Sequence, residues 1–357
     1  MGIKNLNNLI DEFTNIDPHN QTELSNFKNK TFAVDANLFI YKFLYSNGNH
    51  INGLFFMINK LSKFKITPIF VFDGRPPEEK RHTIDNRKNL KKKVHTQVLN
   101  LKANLLLIED PEKIIEINKK IINLEKRLVY VDKEVLESSK ELLRLMNVMY
   151  IDAFSEAEQL CSILSRFNIV DGVISDDTDA VACGSKIILR NFNNKLDYIS
   201  YYNFDEILFE LDLKYSSFLD LCILLGTDYN HKIKNMNYKI AYKLIKNYNN
   251  IETIEDKTNY NIYYNYTKIR ELFKNSDIPD GIINAIQKNK ETVFTSNDLI
   301  KLVKFLEDKS SIKKQSFLFR LNKIYKNKCI SPNKYSCFES TYKIKTSYLR
   351  NNPINKI

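Results

Sequence analysis

Four short apolar runs in this chain each lead to a carboxylate, and that pattern limits its fold more than any other feature. Thr31-Phe32-Ala33-Val34 runs into Asp35, and Pro68-Ile69-Phe70-Val71-Phe72 runs into Asp73. Asn147 to Ile151 leads to Asp152 and then Ser155-Glu156-Ala157-Glu158, while Asp171 to Ser175 leads to Asp176-Asp177-Thr178-Asp179. Helical patterns lie between them, as at Leu54 to Phe64 and Glu156 to Phe167. Short buried strands alternating with helices predict an α/β fold with a mostly parallel central sheet flanked by helices. Ligands bind such sheets at the carboxyl ends of the strands, and here those ends repeatedly carry acid. One more acid, Asp228, follows the apolar stretch Leu221 to Leu225.

The remaining segments are helical in pattern. Ile3, Leu6, Leu9, Ile10 and Phe13 predict an opening amphipathic helix. Residues 80–145 are charged and Lys-rich. Within them Ile114, Ile117, Ile121, Leu124, Leu128, Val131 and Val135 alternate three- and four-residue steps, the spacing of a coiled-coil seam. A coiled-coil dimer, a helix lying on its own domain, or a helical hairpin projecting from the sheet all fit that seam; Pro111 favours a break between two helices. After Asp228 the pattern stays helical to near residue 325, including a compact helix from Tyr238 to Tyr248. The Asn-, Ser- and Lys-rich tail beyond about 330 is expected to be loosely ordered. The expected division is an N-terminal region 1–84, a helical insertion 85–135, an internal region 136–230, a helical region 231–330 and a tail 331–357.

Composition narrows the partners. The 357 residues carry a formal net charge of +11, which suits a protein that meets an anion such as nucleic acid. An Asn-, Lys- and Ile-rich bias could produce the same excess on an ordinary surface, so charge alone decides little. The five cysteines form no Cys-x-x-Cys pair, which argues against a disulfide framework or zinc finger and for a reducing compartment. There is no apolar signal-peptide core and no apolar stretch long enough to span a bilayer. The expectation is an intracellular, soluble protein without membrane partners.

Taken singly, each acid has an ordinary role. Asp35 suits a turn, Asp73-Gly74 is a common turn dipeptide, and Ser155 with Glu158 could form a capping box. Taken together these roles fail. If the strands are parallel neighbours, Asp35, Asp73, Glu156, Glu158, Asp177, Asp179 and Asp228 converge at one end of the sheet. Such a group of like charges destabilises a fold unless cations neutralise it. Oxygen-only ligands suit Mg²⁺ or Mn²⁺, and two such ions suit phosphodiester hydrolysis. No competing chemistry is evident. His19, His50, His82, His95 and His231 are scattered, and no phosphate-binding glycine loop is present.

These motifs resemble the flap endonuclease branch of the XPG-type 5′ nucleases. Met1-Gly2-Ile3-Lys4-Asn5-Leu6 resembles that family's N-terminus. Val34-Asp35-Ala36-Asn37 with Ile40-Tyr41, and Val71-Phe72-Asp73-Gly74-Arg75-Pro76-Pro77-Glu78-Glu79-Lys80, resemble its first two acidic strands. Ala153-Phe154-Ser155-Glu156-Ala157-Glu158-Gln159, Asp176-Asp177-Thr178-Asp179 and Leu221 to Tyr229 resemble its later acidic motifs, and Arg270-Glu271-Leu272-Phe273 is also similar.

The resemblance implies a PIN-like nuclease core with a helical arch insertion and a C-terminal duplex-binding region of helix-hairpin-helix type. It implies two Mg²⁺ ions, with Mn²⁺ as a substitute. Asp35, Asp73, Glu156 and Glu158 would serve mainly the first ion and Asp177, Asp179 and Asp228 mainly the second, with Glu158 near both. Lys80 and Arg87 would contact the scissile phosphate, and Tyr41 would stack on a base near the cut. Gly2 would belong to a segment passing beside the site, where a side chain would obstruct DNA. Lys126-Arg127-Leu128-Val129 resembles part of the arch, so the apolar seam is expected to join the arch base and the next helix to the sheet. Lys91, Lys92 and Lys93 would line a collar for a single-stranded 5′ end.

Two departures follow from the same comparison. The duplex-gripping Gly-x-Gly turn reads Asn235-Met236-Asn237 here; Asn can take the left-handed conformation, and Lys239 and Lys243 remain as candidate phosphate contacts. Gln315-Ser316-Phe317-Leu318-Phe319 lacks the aromatic pair of a sliding-clamp motif, so clamp binding is not supported. The expected protein is a monomeric, metal-dependent nuclease acting on DNA with a 5′ flap, gap or junction, leaving 5′-phosphate and 3′-hydroxyl. Rival readings are a 5′→3′ exonuclease or junction enzyme of the same family, a catalytically inactive DNA-binding scaffold, and a structural coiled coil. The compartment would be the nucleus of a eukaryote or a cytoplasmic viral factory.

Overall fold

The structure is a computed structural model and describes residues 2–17, 21–278, 281–289 and 296–325. The expected tail lies outside the described residues. Seven strands form one sheet in the order β1-β7-β6-β5-β2-β3-β4: β1 (Gln21–Glu23), β2 (Thr31–Asp35), β3 (Thr67–Phe72), β4 (Tyr150–Asp152), β5 (Gly172–Ile174), β6 (Ile187–Arg190) and β7 (Tyr198–Asn203). Strands β6, β5, β2, β3 and β4 run parallel, while β7 is antiparallel to both β6 and β1. The mostly parallel sheet expected from the sequence is therefore present, with an edge at β7 and β1 that the sequence did not signal. Tyr198–Asn203 alternates only weakly and Gln21–Glu23 is polar and very short.

Residue alternation along the strands feeds two apolar layers. Ala33, Ile69, Val71, Val173 and Ile188 face one side. There they meet α1 (Leu6–Phe13), α7 (Ala157–Arg166), α8 (Asp179–Ala182), α9 (Phe204–Leu211) and α10 (Tyr215–Leu225). Phe32, Val34, Phe70, Phe72, Ile174 and Leu189 face the other. They pack on α2 (Ala36–Asn47), α3 (His50–Lys63) and α6 (Lys133–Leu145). Burying both faces is what makes these strands read as continuous apolar runs.

Between β3 and α6 the chain leaves the sheet as a helical hairpin, α4 (Arg81–Leu105) and α5 (Pro111–Lys126). Asp110 caps α5 through Glu112 N and Pro111 occupies its first turn, so the break falls where the sequence placed it. The seam, however, is not one helix. It is interrupted at 127–132, where the chain turns before Asp132 caps α6. Val94 and Val98 of α4 and Ile121 of α5 are the buried residues of the hairpin, whereas Val131 and Val135 pack on the sheet layer. Only the C-terminal end of the seam thus joins the sheet; its first part closes the hairpin on itself.

After Asp228 come α11 (Tyr238–Tyr248), α12 (Ile251–Lys257), α13 (Tyr266–Lys274), α14 (Ile282–Asn289), α15 (Ser296–Lys309) and α16 (Lys314–Tyr325). Helices α11 to α14 extend the first apolar layer, and α15 and α16 return to the second. Phe317 and Leu318 are buried there. No helix among the described residues is long and apolar enough to cross a membrane.

Candidate active site

The acids gather at the carboxyl end of the parallel strands. Asp35 ends β2 and also caps α2, its Oδ1 accepting from Leu38 N at 3.1 Å. Asp73 follows β3, and its Oδ1 accepts from Ala157 N at 2.8 Å. That contact replaces the expected capping box: Glu156 is the N-cap of α7, and its side chain makes no cap bond. Asp73 instead takes the free first N–H of α7, which leaves Glu156 and Glu158 aimed at the site. Oxygens of Asp73, Glu156 and Glu158 lie within 4.8 Å of one another, close enough to share a cation.

The second group sits beside the first. Asp177 Oδ1 accepts from Asp179 N at 3.1 Å, and Ser175 Oγ accepts from Asp177 N at 3.1 Å. Asp179 is fully buried, and neither of its carboxylate oxygens has a hydrogen-bond partner. Asp228 arrives from the loop after α10, which Gly226 terminates with φ +98°. Buried Asn230 fixes that loop: its Oδ1 accepts from Thr227 N and Oγ1 at 3.1 and 2.6 Å.

Electrostatics show what this arrangement requires. Burial, followed by repulsion from Asp73, pushes the Asp35 carboxyl well above the usual range. Burial, with Asp177 and Asp228 adding to it, does the same at Asp179. Glu158 is raised chiefly by burial too, and Lys80 only partly offsets the effect. A buried acceptor without a partner is destabilising, and clustered like charges compound it. Divalent cations would relieve both, and an all-oxygen donor set suits a hard cation. The residues present therefore fit metal binding.

The cationic residues are near the acids. Lys80, buried at the start of the hairpin, pairs with Glu156 and lies 3.8 Å from Glu158 and 3.6 Å from Asp228. Burial disfavours its ammonium, yet these acids outweigh that and hold its pKa above the ordinary lysine range. Arg87 Nη2 donates to Asp228 Oδ2 at 2.7 Å. Thr83 lies between them on α4 and donates to Asp228 O at 2.7 Å. Its spacing from Lys80 and Arg87 places all three on one helix face, a signal available in the sequence but not used.

The other expected contacts are dispersed. Gly2 has φ +83°, and a Cβ there would overlap Asp177 Oδ1 outright and crowd Thr178 Oγ1. A side chain at Gly2 would thus strike the Asp177 carboxylate, a requirement for glycine within the chain itself that stands beside the expected one. Tyr41 is half-buried and stacks on Tyr45. Lys92 and Lys93 are exposed, but Lys91 turns inward and donates to Val129 O at 2.6 Å. The three lysines therefore do not form one uniform basic strip. Asn235 has φ +61°, the left-handed conformation expected of it, and Asn237 caps α11 through Ile240 N. On that helix Lys243 is exposed, while Lys239 pairs with Glu12.

A parallel sheet with a buried carboxylate cluster at its carboxyl end, compatible with metal binding and flanked by Lys80 and Arg87, is an arrangement suited to a nuclease. Known proteins agree. The XPG N-terminal domain model matches residues 1–94, and the XPG I-region model matches 147–228. A flap endonuclease 1 from Enterocytozoon bieneusi is 30% identical, with 76% of this chain and 77% of that protein covered. One from Entamoeba histolytica is 30% identical over 81% and 80%. Among solved structures, the flap endonuclease-1 from Methanococcus jannaschii superposes with a TM-score of 0.63 at 26% identity, covering 88% of this chain and 97% of that one. The catalytic core of Rad2 in complex with DNA substrate gives 0.59 at 25% identity, covering 91% and 98%. The chain belongs to the XPG family, in its flap endonuclease branch. It is a structure-specific 5′ nuclease that binds DNA and hydrolyses its phosphodiester bonds.

Proposed function

We propose that this nuclease cuts DNA where a single 5′ strand leaves a duplex, using two Mg²⁺ ions held by the seven carboxylates. The observation that carries this reading is Asp179: a fully buried carboxylate with no partner, set among six other acids beside two phosphate-seeking cations. Asp35, Asp73, Glu156 and Glu158 would hold one ion and Asp177, Asp179 and Asp228 the other, with Glu158 between them. When bound, such ions supply an activated water and neutralise the leaving oxygen.

The chain's own residues do the rest. Lys80, at the N-cap of α4, and Arg87, seven residues further on, grip the scissile phosphate with charge-assisted hydrogen bonds. Thr83 holds the Asp228 backbone against that helix. Gly2 lets the N-terminal segment lie against Asp177. Attack on phosphorus forms one P–O bond and breaks the bond to the 3′ oxygen, leaving 5′-phosphate and 3′-hydroxyl. The hairpin within 85–135 acts as the arch, with Lys92 and Lys93 facing the single strand. Residues 231–330 hold the duplex through the Asn235–Asn237 turn, Lys239 and Lys243; Lys239 would exchange Glu12 for phosphate. The protein acts as a monomer, in the nucleus of a eukaryote or in a viral replication compartment.

The test is a panel of labelled 5′-flap, gapped, nicked-duplex and four-way-junction DNA, each with Mg²⁺ or EDTA. Flap cleavage that needs Mg²⁺ is expected to exceed the others. Asp177→Ala should abolish cleavage and largely spare binding, and Lys80→Ala should slow the single-turnover rate more than it weakens affinity. Absence of Mg²⁺-dependent cleavage across the whole panel would refute the proposal.

A further inference from the structure

The histidines are scattered along the sequence, yet the fold brings two of them together outside the carboxylate cluster. His82 stands in the first turn of α4, and His231 follows Asp228 in the loop after α10. Their ring centroids are 4.0 Å apart and the rings are inclined by 77°. Both residues are exposed. The backbone on either side of the pair is held in place. Thr83 Oγ1 donates to Asp228 O at 2.7 Å, and Asn230 Nδ2 donates to His231 O at 3.1 Å. Asp85 and Asn86 follow His82 by three and four residues, the spacing of neighbours on one helix face. The Asn86 amide nitrogen lies 3.1 Å from His82 Nδ1. Among the described residues no hydrogen bond occupies the ring nitrogens of His231.

We propose that His82 and His231 form a site for one divalent transition-metal ion of the Zn²⁺, Ni²⁺ and Cu²⁺ class, separate from the carboxylates and inhibitory when filled. Imidazole suits these ions, whereas carboxylate sets suit Mg²⁺. Exposed rings are free to turn about χ1 and χ2, which brings a nitrogen of each to about 2.0 Å from a common ion. A half-turn of the Asn86 amide presents its oxygen to His82 Nδ1–H, the second contact that metal-binding histidines commonly make. His82 Nε2 is then left for the ion, and water fills the open positions. With one ligand on α4 and one on the loop, the ion is a cross-link between them. Lys80 pairs with Glu156 and Arg87 with Asp228. To take a phosphate they must leave these acids, and an ion that holds α4 against the loop opposes that movement. The inhibitory role rests on the nuclease reading; the binding of the ion does not.

The full chain, with Mg²⁺ in large excess to occupy the carboxylates, is titrated with Cu²⁺ and followed by electron paramagnetic resonance. The tightest-bound Cu²⁺ should show superhyperfine coupling to imidazole nitrogen. His82→Gln and His231→Gln should each weaken its binding about 100-fold, because a two-ligand chelate becomes a single contact. Both residues are exposed, so neither variant should shift the melting temperature in EDTA. Ni²⁺ should slow Mg²⁺-dependent flap cleavage by the parent. It should not slow the two variants, whose cleavage with Mg²⁺ alone should equal the parent's. A spectrum without nitrogen coupling, or one unchanged in both variants, overturns the site. Equal slowing of all three proteins by Ni²⁺ overturns the inhibitory role. A parent that binds Cu²⁺ through both histidines but cleaves nothing with Mg²⁺ would instead count against the nuclease reading alone.

Discussion

Gly2 shows how tightly the site is built at the level of single atoms. Its φ of +83° and its contact with Asp177 leave no room for a Cβ. Gly2→Ala must displace Asp177 or the N-terminal segment, and a misplacement of about 1 Å can reduce turnover about 100-fold. Single-turnover cleavage should fall by that order while duplex affinity, measured in EDTA, changes little. Asp179 invites a metal-removal test with a readout other than activity. Without cations its buried, unpartnered charge destabilises the fold. Asp179→Asn should therefore raise the melting temperature in EDTA by a few degrees, and the further rise that Mg²⁺ gives the parent should shrink. An unchanged Mg²⁺ shift would remove Asp179 from the metal ligands. The chain has only 8 glycines, and its turns show what replaces them. Asn5, Asn29, Asn147, Asn168, Asn191, Asn235 and Asn249 all adopt positive φ. Asparagine is the side chain best able to take that conformation, so turns that glycine commonly makes persist without it.

At the level of elements, an ion-pair network centred on a buried aspartate ties the C-terminal helices to the helix that delivers Asp228. Arg270 of α13 donates from Nε to Asp220 Oδ1 at 2.5 Å and from Nη2 to Asp220 Oδ2 at 2.6 Å. Its Nη2 also donates to Glu252 Oε2 of α12 at 2.8 Å. Asp220 lies on α10 and is almost fully buried. Arg270→Ala would strand that carboxylate, a loss of about 3 kcal/mol, measurable by urea denaturation. Asp220→Asn in the same background should recover part of it, since no buried charge then remains; an additive loss would contradict the assignment. The sequence made some elements legible and hid others for physical reasons. Strands β2, β3 and β5 were readable because both their faces are buried. The edge pair β7 and β1 was not, since its pairing depends on partners distant in the chain. The seven acids were readable because each follows an apolar run. Thr83 and Asn230 were not, because their roles exist only once α4 and the loop after α10 come together. The seam from Ile114 to Val135 misled in one respect: a regular spacing continued across a turn that Asp132 caps.

Across the whole molecule, the formal charge of +11 matters through its placement. Lys80 and Arg87 are neutralised within the carboxylate site and Lys239 by Glu12, so these cations contribute little net attraction at long range. Lys92 and Lys93 remain exposed on the hairpin. Counterion release makes each phosphate contact visible as a salt dependence, about 0.7 in log–log slope per contact on a single strand. The double variant Lys92→Gln/Lys93→Gln should therefore lower the slope for flap DNA by about 1.4. The slope for blunt duplex, which on the proposed reading is held by the helices after Asp228, should be nearly unaffected. Fluorescence anisotropy across a series of KCl concentrations in EDTA measures both. Equal slope changes on the two DNAs would mean that the hairpin lysines act as general surface charge and not as a collar for the 5′ strand. Unequal changes are what the proposed division of labour requires, with the single strand on the hairpin and the duplex on the helices after Asp228.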